Sequence, residues 1–301
     1  MTGSRTDILN YRNDDTPRMI INPVGGLANR MRAMASGIAL ADAIGCDFRI
    51  VWRCNSELNA SVEEIFNVPD YIKSKIIYPL KLEYSLKYSA PRKRNLYVSG
   101  LIAPIFFGHI FRDWTPEFRA MVVNNKNESL KETAEKYILS GRNVLFQSGL
   151  SFYPFPIELY RNIFRASNAV ETKSNAILNS LGDHSIGFHI RRSDNSESIK
   201  HSPDSLFISE MDAAIHDNPK VKFYLATDDE TTKVDFARKY GDRIISSKSV
   251  ASRATKEGII DAATEMYILS KTDRIVGSFY SSFSEAAAML GDRNLKQVYR
   301  N

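Results

Sequence analysis

The stretch Met19-Ile20-Ile21-Asn22-Pro23-Val24-Gly25-Gly26-Leu27-Ala28-Asn29-Arg30, continued to Trp52, decides the fold class. Met19 to Val24 is a short apolar run of strand character, and Gly25-Gly26 breaks it. From Leu27 to Ile44, apolar and small residues such as Leu27, Met31, Met34, Ile38 and Ala41 recur at helical spacing. Gly45 ends that helix, and Phe48-Arg49-Ile50-Val51-Trp52 resumes as a strand. A strand–helix–strand unit joins parallel strands, so the class is α/β.

The second half repeats the alternation. Strands are expected at Ser185 to Ile190, Lys222 to Ala226, Arg243 to Ile245 and Arg274 to Val276. Helices are expected at Asp204 to His216, Asp228 to Tyr240, Asp261 to Ser270 and Ser284 to Leu290. Such a run indicates a doubly wound parallel sheet. The stiff segment Phe152-Tyr153-Pro154-Phe155-Pro156 separates the halves and places the junction within Phe155 to Thr172. The expected domains are residues 1–165 and 166–301. A chain of 301 residues suits two domains of ordinary size.

With 43% hydrophobic and 25% charged residues, the chain can bury a core without staples. A net charge of +5 favours polyanionic partners only weakly. Cys46 and Cys54 fit neither a CxxC motif nor a zinc knuckle, and two cysteines do not make a secreted disulfide scaffold. The expected compartment is therefore the cytosol. Met1 to Arg18 has no apolar signal core. Leu96 to Phe111 is apolar but too short to span a bilayer, which leaves peripheral contact at the inner membrane as the only membrane role expected. Tyr71 to Arg94 sets seven basic residues against Glu83, interleaved with Tyr71, Tyr78, Tyr84 and Tyr88. It reads first as a solvated surface insertion. A polyanion or nucleic-acid groove with aromatic platforms is the alternative.

The residues able to carry chemistry cluster where strands end. Ligands of open α/β sheets bind at the carboxyl ends of strands. Gly187-Phe188-His189-Ile190-Arg191-Arg192-Ser193-Asp194 closes one strand with two adjacent guanidiniums. They keep their charge, and an anion matching a fork of N–H donors, a phosphate above all, relieves the cost of burying them. Pairing with a local carboxylate such as Asp194 is the other reading. Gly25 and Gly26 allow close backbone approach before a helix N-terminus, a place where anions bind. Ala226-Thr227-Asp228-Asp229 ends another strand, with Asp228 placed to accept from a ribose or base, or with Thr227 or Asp228 capping the next helix. Gly277 to Glu285 supplies Ser281, Ser282 and helix N-terminal amides as a second phosphate cradle, or a serine-rich cap with Glu285 in a capping box. Asp-x-Asp, HExxH, a ligand-spaced His/Cys cluster and GxSxG are all absent from the sequence. No metal and no cofactor is expected. A diphosphate leaving group would then be neutralised by arginines and backbone donors.

Four segments, in order, resemble the fucosyltransferase superfamily of inverting, metal-independent glycosyltransferases. They are Gly25-Gly26-Leu27-Ala28-Asn29-Arg30-Met31-Arg32, His189-Ile190-Arg191-Arg192-Ser193-Asp194, Phe223-Tyr224-Leu225-Ala226-Thr227-Asp228-Asp229, and Asp261 through Ser284. The similarity leaves Tyr71 to Leu150 uncovered. It implies a GT-B-like architecture of two Rossmann-like α/β domains facing across a cleft, the last helix packing back on the first domain. It implies a nucleotide-sugar donor, GDP-fucose foremost, and a glycan or glycoconjugate acceptor, with no nucleic acid. By the same resemblance, Arg191 and Arg192 bind the diphosphate, Arg192 being the more critical. His189 and Asp261 contact the guanosine, and Asp228 and Thr227 lie near base or ribose. Ser281 or Ser282 binds phosphate, and Gly25, Gly26 and Asn29 approach from the first domain. The expected base is Glu197 or Asp194. The chain departs from the core α1,6 pattern at Asn195, where a lysine stands in the family, and in the early position of Glu197, so acceptor and linkage do not carry over. Another nucleotide sugar on the same fold remains an alternative.

Overall fold

In a computed structural model, which describes residues 18–193, 196–248 and 253–300, the chain forms two five-stranded sheets with every strand pair parallel. The first contains β1 (Arg18–Pro23), β2 (Asp47–Val51), β3 (Ile76–Ile77), β4 (Phe107–Arg112) and β5 (Asn143–Ser148), in the order β3-β2-β1-β5-β4. The second contains β6 (Ser185–Ile190), β7 (Lys222–Thr227), β8 (Ile244–Ser246), β9 (Arg274–Ser278) and β10 (Asn294–Val298), in the order β10-β9-β6-β7-β8. β1 and β6 are the central strands, and each is buried along its whole length. That burial on both faces is why they read as continuous apolar runs without alternation.

Helices cover the sheets. The first half carries α1 (Leu27–Ile44), α2 (Val62–Ile65), α3 (Asp70–Lys73), α4 (Lys81–Glu83), α5 (Val98–Phe106), α6 (Pro116–Val123) and α7 (Asn127–Leu139). α8 (Ile157–Ile163) and α9 (Asn168–Leu181) link the halves. The second half carries α10 (Ser196–His201), α11 (Asp204–Asp217), α12 (Glu230–Tyr240), α13 (Lys256–Leu269) and α14 (Ser282–Gly291). α1 lies on β1 and also packs against α14 and α8, so most of its circumference is buried. Small residues permit this: Ala33, Ala35, Gly37 and Ala41 on α1, Ala286 and Ala287 on α14. Arg161 of α8 donates to Met289 O (2.9 Å) and to Asp292 (2.8 Å), fixing the end of α14. α9 packs on α13. One continuous apolar core therefore runs from Met19 and Phe146 through Tyr160 to Leu269 and Ala287. On the other face of the first sheet, Tyr84, Tyr88 and Ala103 pack on Ile20, Val51 and Leu145.

The expected α/β class is observed, and several boundaries move. The helix expected from Asp261 begins at Lys256, because the Thr255 side chain caps it by accepting from Gly258 N–H (3.1 Å). The helix expected from Asp228 begins at Glu230. Its cap is Asp229, which accepts from Thr232 N–H (2.7 Å), rather than Thr227 or Asp228. A fifth strand, β10, follows the helix read as final. The apolar run 96–111 is split into α5 and edge strand β4, and no helix among the described residues is long and apolar enough to cross a membrane. The 71–94 stretch is not one solvated face, since Tyr84 and Tyr88 are core residues. Asp194 and Asn195 lie outside the described residues.

Gly37 sets how closely α1 approaches β1. A Cβ there would sit 2.6 Å from Ile21 Cγ1, on a β-branched side chain that is itself fully buried. Gly37→Ala is expected to lower unfolding free energy by about 1–3 kcal/mol, read from chemical denaturation against wild type.

Candidate functional site: a cleft between the two sheets

The carboxyl ends of both sheets open onto one cleft of about 540 Å³. β1 leads to β2 on one side while β5 flanks it on the other, and β6 leads to β7 while β9 leads to β10 in the opposite direction. Each sheet thus turns a topological switch point toward the cleft, where an α/β sheet binds ligands. Gly26, Asn29, Arg32 and Leu150 line it from the first half. From the second half come His189, Arg191, Glu197, Thr227, Asp228, Glu265 and the segment 280–283, among others.

The strand end of β6 is pinned by Asp228. Its carboxylate pairs with Arg191 Nη1 (2.9 Å), accepts from the N–H groups of Arg192 (2.7 Å) and Ser193 (3.3 Å), and accepts the Ser193 hydroxyl. Burial alone would raise the Asp228 carboxyl, but the Ser193 hydroxyl, the Arg191 charge and the two amides outweigh it and hold it below its ordinary value. Arg191 N–H donates to Ser278 Oγ (2.9 Å) on β9. The Arg191 guanidinium faces the cleft. That of Arg192 points away, donating to Ser202 O (2.9 Å), to Arg191 O (2.8 Å) and to Asp204, with Phe207 beneath it. The expectation that Arg192 is the leading diphosphate group therefore meets a different placement: its donors are engaged by the start of α11, and Arg191 is the one of the pair that lines the cleft.

His189 is buried, stacked 4.7 Å from Phe283, and in hydrogen-bond contact through Nδ1 with Ser284 Oγ (2.9 Å) and Ser281 Oγ (3.2 Å). Burial, aided by Arg191, pushes its pKa down to about 3, so the imidazole is neutral. The serines are thus not a serine cap with a capping box. Ser281 at the N-cap position of α14 makes no capping hydrogen bond, and Glu285 pairs with Arg32 (3.9 Å). The first amides of α14, at Ser282 and Phe283, are left toward the cleft. Tyr280 precedes them in a left-handed conformation (φ 56°), costly for a non-glycine residue and typical of a site held by its surroundings.

The glycine loop is braced from below. Gly25 has φ +84° and its carbonyl accepts from Arg30 Nε (2.9 Å). Arg30 is fully buried over Trp52, also donating to Arg53 O (2.6 Å) and Asn55 Oδ1 (3.0 Å), and burial pushes its pKa down to about 10. Gly25 itself does not line the cleft; Gly26 and Asn29 do. A Cβ on Gly26 would lie 3.8 Å from the guanidinium carbon of Arg253, which reaches across from the second half. Asn59 ties that crossing: its N–H donates to Arg253 O (3.3 Å) and its side chain to Ala254 O (2.9 Å).

Asp261 is placed elsewhere than expected. It pairs with Lys173 (2.6 Å) on α9 and does not line the cleft. One helical turn further on, Glu265 does. Glu265 is 5% exposed, its Oε1 is buried without a partner, and burial, only partly opposed by Ser247 and Lys233, pushes its pKa up to about 7. The sequence motifs gave no sign of Glu265 or Arg253, and gave Arg32 of the glycine-loop segment no role, yet all three line the cleft. The available signal for Glu265 was its place in α13 among residues that are otherwise mostly apolar or small, Ile259, Ile260, Ala263, Met266 and Ile268. Glu197, on α10, stands at the cleft 3.5 Å from His201 Nε2. Among the described residues, no three His, Cys, Asp or Glu side chains converge as a metal site.

No protein-family model matches the sequence, and no curated protein matches it. Solved structures do. The α-1,6-fucosyltransferase NodZ co-crystallised with GDP aligns over 91% of this chain and 92% of its own, with TM-score 0.60 at 18% identity. POFUT1 in complex with GDP-fucose aligns over 95% and 99%, with TM-score 0.56 at 12% identity. A variant of Arabidopsis thaliana FUT1 in complex with GDP covers all of this chain and 75% of its own, with TM-score 0.64 at 14% identity. The chain has the GT-B fold of the fucosyltransferases. The likeness in fold extends through residues 71–150, where the sequence resemblance is silent.

Glu265 makes a pH prediction. Its folded pKa is raised to about 7 from an ordinary 4.5. Between those values the folded chain holds a proton that the unfolded chain has released, so stability falls as pH rises through the window. In Glu265→Gln this component is expected to vanish: melting curves of wild type and variant should diverge in slope between pH 4.5 and 7. Parallel curves would mean that the group is ionised throughout.

Proposed function

We propose that this chain is an inverting, metal-independent glycosyltransferase that moves a sugar, fucose from GDP-fucose foremost, onto a glycan or glycoconjugate hydroxyl. The observation that carries the reading is Arg191: a permanent cation at the end of the central strand β6, lining one cleft shared by both sheets together with the uncapped N-terminus of α14. A diphosphate seated between them would be held by charge and by N–H donors, the requirement of a leaving group that no metal neutralises. GDP or GDP-fucose occupies three of the structurally similar enzymes, which supports the same donor class here.

The base side of the donor falls to the second sheet. Glu265 offers a buried carboxyl with one unpartnered oxygen, in a cleft that Thr227 and Ile259 also line. Guanine presents two adjacent N–H groups to a carboxylate, whereas adenine does not, so this carboxyl favours GDP over ADP. His189, neutral and fixed by Ser281 and Ser284, shapes the site without adding charge. The sugar then points toward Gly26 and Asn29, whose half of the cleft receives the acceptor. The acceptor hydroxyl attacks the anomeric carbon on the face opposite the leaving group, forming the glycosidic C–O bond as the bond to the diphosphate breaks. Glu197 takes the proton released by the hydroxyl. Arg191 and the α14 amides stabilise the charge that develops on departing GDP. Arg192 acts by holding the strand end to α11.

The two arginines should separate in experiment. Arg191→Ala is expected to lower GDP release from GDP-fucose on the order of 100–1,000-fold at a temperature where its melting curve shows it still folded. Arg192→Ala is expected to lower the melting temperature, because it strips Asp204 and two carbonyls of their donor. Turnover by the wild type should persist in EDTA. Near-normal transfer by Arg191→Ala would reject the assignment.

A further inference from the structure

The segment from Leu80 to Phe106 packs inward through Tyr84, Tyr88 and Ala103 and turns a different face outward. Leu80, Leu82, Leu96, Leu101 and Ile105 are each between 68% and 80% exposed. Leu101 and Ile105 are one helical turn apart on α5 and share a face. Leu96 and Tyr97 are held outward in consecutive left-handed conformations (φ 50° and 58°) that non-glycine residues rarely adopt. Asn95 braces them, its amide donating to Ala90 O (2.8 Å), Ser89 Oγ (2.9 Å) and Ser99 Oγ (3.1 Å). A cluster of large apolar side chains this exposed on one short segment marks an interaction site.

The charge around it identifies the occupant. Between residues 80 and 106 the sequence has five basic residues against one acid, a net of +4 within a chain whose total is +5. The acid, Glu83, pairs with Lys87 (3.2 Å), whose ammonium also lies 4.6 Å from the Phe106 ring. Apolar side chains bordered by Lys and Arg, on a nine-residue helix that cannot span a bilayer, match a surface that lies in a membrane interface. We propose that the outer face of residues 80–106 docks on an anionic lipid bilayer, leucines and Ile105 entering the headgroup region and Lys81, Arg92 and Lys93 meeting the lipid phosphates. A second copy of this chain would bring like charge against like charge. The docked face is joined to the cleft side of the first sheet: Asn22 on β1 donates to Tyr88 O (3.1 Å), and the Arg53 guanidinium lies 4.2 Å above the Tyr84 ring. The inference goes beyond glycosyl transfer and does not depend on it.

Co-sedimentation of the whole chain with lipid vesicles tests it. Vesicles containing phosphatidylglycerol are expected to carry the protein down, phosphatidylcholine vesicles much less, with binding weakened by salt. Leu101→Glu combined with Ile105→Glu should reduce binding at least about tenfold. Lys81→Ala and Lys93→Ala should each reduce it roughly fivefold at low salt. All are exposed positions, so melting temperatures should stay at the wild-type value and show that the fold is retained. No binding to anionic vesicles, or unchanged binding by the folded double variant, overturns the proposal. A concentration-dependent dimer in sedimentation velocity, without vesicle binding, would assign the face to a second copy and overturn it equally.

Discussion

The site depends on one carboxylate. Asp228, at the end of β7, takes the Arg191 guanidinium, two backbone N–H groups and the Ser193 hydroxyl. A half-buried charge is tolerated when its hydrogen-bonding capacity is met, and here four donors meet it. The arrangement locks the turn after β6 against β7. It also holds a permanent cation at the cleft. An arriving diphosphate would compete with Asp228 for Arg191, which makes the pair a resting partner as well as a structural one.

A second constraint brings the halves together. α1 belongs to the first sheet, yet it is buried against α14 of the second, and alanines on both helices let them approach. The same two helices begin at the two polar edges of the cleft, α1 after Gly25-Gly26 and α14 after Tyr280-Ser281. Packing along their length therefore sets the distance between the glycine loop and the open amides of α14. Buried Arg30 and the Asn59 contacts to Arg253 and Ala254 hold the rim in register.

Much of this was legible in the residues. The period of Leu27 to Ile44 and the buried runs of β1 and β6 announced parallel α/β sheets, and the strand ends pointed to Arg191, Asp228 and Ser281, which the fold brings to one cleft. The misreadings have physical causes. A helix start is decided by its cap, and Thr255 lies six residues before Asp261, the acidic residue that looked like a start. Asp261 and Glu265 stand one turn apart on that helix, and tertiary packing separates them: Lys173 of α9 takes Asp261, while Glu265 reaches the cleft. Adjacent arginines on an extended segment point to opposite sides. The sequence could not say which of the two would face the cleft without the position of Asp204. The 71–150 region was opaque because short helices, a two-residue strand and an edge strand carry weak periodicity.

A crystal structure of the protein grown with GDP tests the central claim most directly. The account predicts the diphosphate between Arg191 and the Ser282 and Phe283 amides, the guanine N–H groups on Glu265, and the Arg191–Asp228 contact lengthened from 2.9 Å. GDP bound away from this cleft, or seated in it on Arg192 with Arg191 still held by Asp228, would contradict it.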